Sequence, residues 1–186
     1  MLTTRFDPLA AFHGMWTTLL AERYLPLPEL PGGTYYDCVD GDLGMSRSGG
    51  SATSYAMGAV YCALRSSDCP YVVYPMTNVA FSPERWIQLD FAVVRRQARE
   101  SIWMPADAVL IAGQIVNGHE RVDRQELAAI GGIPYFLRAR LEDDAADLFE
   151  LIDGRYVMRA TAAGGQLLES AAPFAIKFDP EVLRAR

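Results

Sequence analysis

Residues 106–136, ADAVLIAGQIVNGHERVDRQELAAIGGIPYF, constrain the fold more than any other segment. The apolar run DAVLIAGQIV is typical of a buried strand, and a short polar turn follows it. RVDRQELAAIGG then predicts a short helix that ends at two glycines. IPYFLRARL begins a second strand. A strand, a helix and a strand in this order predict an α/β domain, with helices flanking a mixed sheet.

The segments before residue 106 add a helix, a hairpin and a second helix to this prediction. Residues 6–24 have apolar side chains at helical spacing, which predicts one helix inside an N-terminal extension of residues 1–30. The domain itself is predicted to span residues 31–186. YYDCVDGDLGM predicts a hairpin that turns at Asp40 and Gly41. SATSYAMGAVYCALRSS predicts a helix whose small-residue face would pack on the sheet: Tyr55, Gly58, Ala59, Cys62 and Ala63.

The remaining segments read as strands. WIQLDFAVVRR predicts a strand with Asp90 at its centre, and DAVLIAGQIV carries the polar Gln114 near its end. The C-terminal third predicts an antiparallel β-meander made of IPYFLRARL, DLFELID, RYVMRATA and PFAIKF. Asp153-Gly154 and Gly164-Gly165 supply its turns.

Composition excludes several classes of function. The chain has 186 residues, 51% of them hydrophobic, which suits one domain with a substantial core. Its net charge of −6 argues against a large nucleic-acid-binding surface, because phosphate binding needs clustered cations, although a small basic cleft is still possible. Lys177 is the only lysine, so any lysine-dependent mechanism must use it.

Neither a membrane segment nor a zinc site is expected. No apolar run approaches the roughly 20 residues that cross a bilayer, and the N-terminus lacks a signal-peptide pattern. A cytoplasmic protein with no membrane partner is therefore predicted. The cysteines are separated without any CxxC motif, and only two histidines are present, so free thiols are expected: Cys38, Cys62, Cys69, with His13 and His119.

Several segments together resemble one family, the bacterial restriction endonuclease family within the PD-(D/E)XK nuclease superfamily. They are YYDCVDGDLGMS, WIQLDFAVVRR, PADAVLIAGQIVNG, ERVDRQELAAIGGIPYF, DLFELIDGRYVMRATA and PFAIKFDPEVL. Their order and spacing fit from about residue 35 to residue 183. The helix-plus-GIPxYW segment is the most similar, with Phe136 in place of tryptophan. The resemblance implies a restriction-endonuclease-like mixed sheet flanked by helices.

The resemblance also implies three catalytic positions. Enzymes of this superfamily hold Mg²⁺ with two acids, and a lysine orients the attacking water. Asp90, in LDFAVV, matches the first acid, Gln114 replaces the second acid, and Arg124 replaces the lysine. Asp90 and Gln114 would be the metal ligands. Glutamine brings no negative charge to Mg²⁺, and arginine cannot act as a base at physiological pH.

Other roles for nearby residues stay open at this point. Arg124 could pair with Asp90, Glu120 or Asp123 instead of a phosphate. An acid among Asp107, Glu120 and Asp123 could restore metal binding. Two further acids, Asp37 and Asp42, could line the cleft, and His119 could serve as a general base.

These substitutions favour a degenerate site. The preferred interpretation is a pseudoenzyme, a nuclease-family protein that acts as a non-catalytic binding or regulatory protein, and as a homodimer. The first alternative is an active, Mg²⁺-dependent DNA endonuclease, which holds DNA in a small cleft. The second is a small-molecule pathway protein that reuses the cleft. No cofactor is expected except Mg²⁺ in the active alternative, and a protein or small-molecule partner is expected otherwise.

Overall fold

The computed structural model describes residues 6–47, 49–67, 69–95, 101–118 and 124–184. Within these ranges the main sheet contains nine strands. They are β1 (Thr34–Val39), β2 (Asp42–Arg47), β3 (Val72–Ser82), β4 (Arg85–Val94), β5 (Met104–Pro105), β6 (Val109–Val116), β7 (Tyr135–Arg140), β8 (Ala145–Ile152) and β9 (Arg155–Ala163). The strands run in the order β2-β1-β4-β6-β7-β8-β9, while β3 pairs with β4 and β5 pairs with β3.

The other regular elements flank this sheet. The helices are α1 (Pro8–Ala11), α2 (Thr18–Tyr24), α3 (Gly50–Ser66) and α4 (Arg124–Ile130). Two short strands, β10 (Leu168–Ser170) and β11 (Ile176–Phe178), form a separate antiparallel pair. None of the helices in the described ranges is long and apolar enough to cross a membrane.

The predicted mixed sheet with flanking helices is confirmed. β6 and β7 are parallel, whereas the other pairings between long strands are antiparallel. Val93 packs in one core cluster with Val60 of α3, and the neighbouring Ala92 packs in another with Leu127 of α4. Because successive strand residues point to opposite faces, α3 and α4 cover opposite faces of the sheet.

One edge of β4 pairs with a single strand, and the opposite edge is shared by two strands. β3 takes one edge of β4 over its whole length. On the other edge, β1 pairs only at Cys38 with Trp86, and the β6 pairing reaches only to Phe91 with Gly113. On this edge, residues 87–90 of β4 are paired with neither β1 nor β6. We call this stretch the fork of β4.

The single N-terminal helix predicted over residues 6–24 is wrong. The segment forms α1 and α2, separated by Gly14, whose φ of +69° is incompatible with a continuing right-handed helix. The break allows Trp16 to be buried, with only 1% of the residue exposed. The backbone N–H of Trp16 donates to the carbonyl of Gly41 at 3.0 Å. Trp16 then packs with Cys38 and Trp86 in one core cluster.

The predicted face of α3 is only partly correct, because Ala59 and Ala63 pack against the core while Tyr55, Gly58 and Cys62 are exposed. The residues that α3 buries are Thr53, Ala56, Met57, Val60 and Leu64. Cys62 is exposed, and Tyr55 is 48% exposed. The helix is turned so that its larger aliphatic side chains face the sheet, because these bury more apolar area than the small residues do.

The C-terminal meander is confirmed in its first part. β7, β8 and β9 are successive antiparallel strands, and the turn between β8 and β9 falls at Asp153 and Gly154. PFAIKF does not continue this sheet. Only Ile176–Phe178 is a strand, and it pairs with β10 beside the core cluster that contains Val60 and Leu64. The Asp40-Gly41 hairpin between β1 and β2 is confirmed, with positive φ at both residues.

Candidate functional site

Asp90 lies at the end of the β4 fork and opens onto a cavity of about 490 Å³. Its side chain is 2% exposed, although the residues around it include polar and charged groups. The cavity wall is formed by the loop before β1, by β1 and β2, and by the N-terminus of α3. Residues that contribute to this wall include Tyr35, Ser46, Arg47, Thr53, Asn117 and Arg124.

The carboxylate of Asp90 replaces a missing ladder partner. Its Oδ2 accepts a hydrogen bond from the backbone N–H of Ile115 at 2.7 Å. The β4–β6 ladder ends at Phe91 with Gly113, so this side-chain contact extends the strand connection by one step. The hydroxyl of Tyr35 lies near this carboxylate at the same cavity and interacts with it electrostatically. The carboxylate therefore connects β4 to β6 at the floor of the cavity, beside Tyr35 of β1.

Burial governs the protonation of this pair. Desolvation raises the pKa of Asp90, and the Ile115 N–H, the Arg124 guanidinium and the Tyr35 hydroxyl offset that rise in part. Desolvation also raises the pKa of Tyr35, and the nearby Asp90 carboxylate raises it further. Tyr35 is therefore a hydrogen-bond donor at neutral pH, and it is not a candidate base.

Arg124 occupies the first position of α4 and forms a buried ion pair. Its Nη2 donates to Oδ2 of Asp37 at 3.1 Å and to Oγ of Ser46 at 3.2 Å. The side chains of Arg124 and Asp37 are 5% and 1% exposed. The guanidinium also stacks over the ring of Tyr35, with Cζ 5.5 Å from the ring centroid. The predicted substitute for lysine is thus held between β1, β2 and the floor of the cavity.

Asp37 is the partner that the sequence did not identify for Arg124. It was expected to line the cleft, together with Asp42 as an alternative. Instead its carboxylate is buried, with Oδ1 accepting the backbone N–H of Gln88 at 2.8 Å. Asp42 is exposed on β2. The other proposed partners and the candidate base, Glu120, Asp123 and His119, lie outside the described residues.

Gln114 lies on β6 beside the two other predicted site residues. Continuing the Phe91–Gly113 register by one step places Gln114 opposite Asp90, and strand alternation puts it on the face that α4 covers, with Ala112. Its side chain is 2% exposed, and it does not contribute to the cavity wall in the described part of the chain. The structure thus brings Asp90, Gln114 and Arg124 into one region, as the resemblance implies. Their catalytic and metal-binding roles stay predictions.

The donor groups that the described residues offer in this region do not fit Mg²⁺. Among the described residues, no group of three or more histidine, cysteine, aspartate or glutamate side chains is placed to hold a metal ion. One oxygen of Asp90 accepts the N–H of Ile115, and Asp37 is paired with a guanidinium. Mg²⁺ favours several oxygen ligands that include carboxylates, and a buried cation nearby repels it.

The cysteines do not contribute to the cavity. Cys38 is buried among Trp16 and Trp86, Cys62 is exposed on α3, and Cys69 is half-buried. Desolvation raises the pKa of the Cys38 thiol to about 11, so its thiolate is scarce at neutral pH. Lys177 is on β11 and forms an exposed ion pair with Glu169 at 2.7 Å. The cavity therefore has no lysine.

The fold places the chain in the class of nuclease-fold proteins. No protein-family model matches the sequence, and no curated protein matches it. A solved structure that is similar comes from Anabaena variabilis ATCC 29413 and is described as a "putative nuclease belonging to DUF820". The two structures superpose with a TM-score of 0.58 at 12% sequence identity, over 87% of this chain and 95% of the other. The likeness supports the restriction-endonuclease-like fold and, at this identity, the fold alone.

Proposed function

We propose that this protein is a nuclease-fold binding or regulatory protein that does not hydrolyse phosphodiesters. The observation that carries the proposal is the buried ion pair of Arg124 with Asp37, adjacent to Asp90. In the family that the sequence resembles, the corresponding region holds a divalent cation. Here the guanidinium is the local cation, and it neutralises one of the two buried carboxylates.

The electrostatics of the cavity support this proposal. Hydrolysis by this superfamily requires a carboxylate pair that grips Mg²⁺ and a group that orients the attacking water. Gln114 brings an uncharged amide to the second acid position, and Arg124 stays protonated. Burial raises the pKa of Asp90, so the remaining acid also carries its charge at an energetic cost.

Direct assays separate this proposal from an active endonuclease. We expect no heat of Mg²⁺ or Mn²⁺ binding in calorimetry, and no cleavage of plasmid or single-stranded DNA in either ion. Asp90→Ala serves as the site variant, and Asp153→Asn, at an exposed acid in the turn between β8 and β9, serves as the matched control. Metal-dependent cleavage that Asp90→Ala abolishes and Asp153→Asn preserves would establish the endonuclease and overturn the proposal.

A homodimer is part of this proposal. β9 ends the strand order of the main sheet, and its exposed side chains include Val157 at 45% and Met158 at 51%. An exposed, partly apolar edge strand is a surface on which a second chain can pair. Light scattering coupled to gel filtration should give twice the monomer mass, and Val157→Lys should reduce it to one monomer mass. A monomer at all concentrations would refute this assignment.

A further inference from the structure

The N-terminus of α3 meets the cavity without a side-chain cap. α3 has 17 residues, and its N-cap is Gly49, which offers no side chain to the first-turn amides. In any α-helix the first N–H groups lack acceptors within the helix, and they carry the positive end of the helix dipole. In α3 these groups belong to Gly50, Ser51 and Ala52. The residues on either side of them, Gly49 and Thr53, contribute to the cavity wall.

Thr53 supplies a second, independent indication of a ligand. Its side chain is 3% exposed, it contributes to the cavity wall, and its Oγ1 has no hydrogen-bond partner among the residues that the structure describes. A buried hydroxyl without a partner destabilises a protein unless a ligand or a water satisfies it. The hydroxyl lies so close to the loop that a Cβ at Gly49 would come within 1.8 Å of Oγ1. Glycine at this position is what allows the loop and the hydroxyl to approach each other.

The charges beside the N-terminus of α3 favour an anion in that part of the cavity. Arg47, at the end of β2, is exposed and contributes to the same wall. Helix N-termini with a nearby arginine are common sites for phosphate groups. Of the two arginines that line the described part of the wall, Arg124 is engaged by Asp37, whereas Arg47 is exposed and can reach a ligand from solvent.

The rest of the wall suits a small molecule. Leu30, Pro31 and Met45 offer apolar surface, while Asn117 and Asp90 offer hydrogen-bonding groups. The volume of about 490 Å³ falls within the range of small-molecule sites. A polynucleotide would instead need a track of cations, and the chain carries a net charge of −6.

We propose that the cavity binds a small phosphate monoester, with its phosphate held by the first-turn N–H groups of α3, the Thr53 hydroxyl and the Arg47 guanidinium. This inference rests on the proposed binding function and names the chemical class of the ligand. It implies no covalent step. The organic part of the ligand would lie toward Met45 and Asn117.

Calorimetry in EDTA tests the proposal with inorganic phosphate, a nucleoside monophosphate, the unphosphorylated nucleoside and a short DNA duplex as probes. We expect saturable binding of the monophosphate, weaker binding of phosphate and none of the nucleoside. Thr53→Val and Arg47→Gln should each weaken monophosphate binding about tenfold or more. Thr53→Ser, which keeps the hydroxyl, and Arg65→Gln, at the far end of α3, should bind as the unaltered protein does.

The same variants distinguish ligand binding from a structural role. Without ligand, Thr53→Val should melt at the same temperature as the unaltered protein or higher, since it removes an unpartnered buried hydroxyl. Failure of both phosphate and monophosphate to bind, equal binding by Thr53→Val, or binding of the duplex alone would each overturn the inference. Metal-dependent cleavage would overturn only the proposed function, because binding is measured in EDTA.

Discussion

The guanidinium Nη2 of Arg124 lies 3.1 Å from Oδ2 of Asp37, and both side chains are at least nine-tenths buried. The two residues are 87 positions apart in the sequence, so their pairing is a tertiary constraint between β1 and α4. The guanidinium also lies over the ring of Tyr35, whose hydroxyl interacts with Asp90. One buried cation thereby organises both acids of the region.

Breaking this ion pair should be costly. Arg124→Met leaves the Asp37 carboxylate buried without its cation, and we expect a loss of about 3–5 kcal/mol in the free energy of unfolding. The double variant Asp37→Leu with Arg124→Met should lose much less than the sum of the single variants. Urea denaturation measures all three. Additive losses would show that the two side chains are not coupled.

An exposed ion pair provides the control for that cycle. Lys177 and Glu169 are 63% and 58% exposed, so Lys177→Met should change stability by less than about 1 kcal/mol.

Asp90→Asn should stabilise the protein at neutral pH. Burial raises the pKa of Asp90 in the folded state above its ordinary value of 3.8. A raised folded-state pKa means that stability is complete below the unfolded pKa and is lost as pH rises through the folded pKa. The amide avoids this loss and can still accept the N–H of Ile115. The advantage of the variant should therefore shrink as pH falls toward 3.8.

Denaturation curves between pH 4 and pH 8 test that dependence. Asp107→Asn controls for removing one negative charge from an exposed position. An advantage for Asp90→Asn that grows toward low pH would have the opposite sign to the one expected.

Two glycine substitutions should have opposite effects. A Cβ at Gly113 would lie 2.2 Å from the ring of Phe91, which is fully buried, so Gly113→Ala should destabilise by about 1–3 kcal/mol. Gly58 is exposed in the middle of α3 with open space around it, so Gly58→Ala should stabilise by up to about 1 kcal/mol. Thermal unfolding of both variants checks the pair, and an unchanged midpoint for Gly113→Ala would contradict the close contact.

Metal binding should need two changes together. Gln114→Glu alone adds a carboxylate next to Asp90 but leaves the Arg124 cation in place, so we expect no measurable Mn²⁺ binding. The double variant Gln114→Glu with Arg124→Gln adds the carboxylate and removes the buried cation, which also releases Asp37 from its ion pair, and it should bind Mn²⁺ in calorimetry. The electrostatic explanation would be disproved if the unaltered protein bound Mn²⁺ and these substitutions did not change its affinity.

Local patterns predicted much of the fold. The Asp40-Gly41 turn, β4, β6 and the short helix that ends before Gly131 all follow from turn chemistry and apolar periodicity. The order of strand, helix and strand along the chain predicted the mixed sheet. The break at Gly14 was missed because the apolar spacing continues across it, and the interruption depends on Trp16 packing against the first hairpin.

The candidate site was predictable only in part. The resemblance indicated Asp90, Gln114 and Arg124, and the structure brings them into one region. Asp37 was expected at most to line the cleft, because nothing local shows that a residue of α4 will lie beside it and form an ion pair with it. Thr53 gave no signal either, since an unpartnered hydroxyl is a property of the packed structure and not of the sequence.

At the fork of β4, Asp37 and Asp90 have a structural role that is independent of catalysis. Asp37 accepts the N–H of Gln88 and Asp90 accepts the N–H of Ile115, so two carboxylates stand in for main-chain carbonyls where the neighbouring strands diverge. Any descendant of this chain that keeps the split edge needs an acceptor at both places, whether or not it cuts a phosphodiester. An aspartate at either position therefore stabilises the fold in the first place, and it can contribute to metal-dependent chemistry only when a second acid lies beside it.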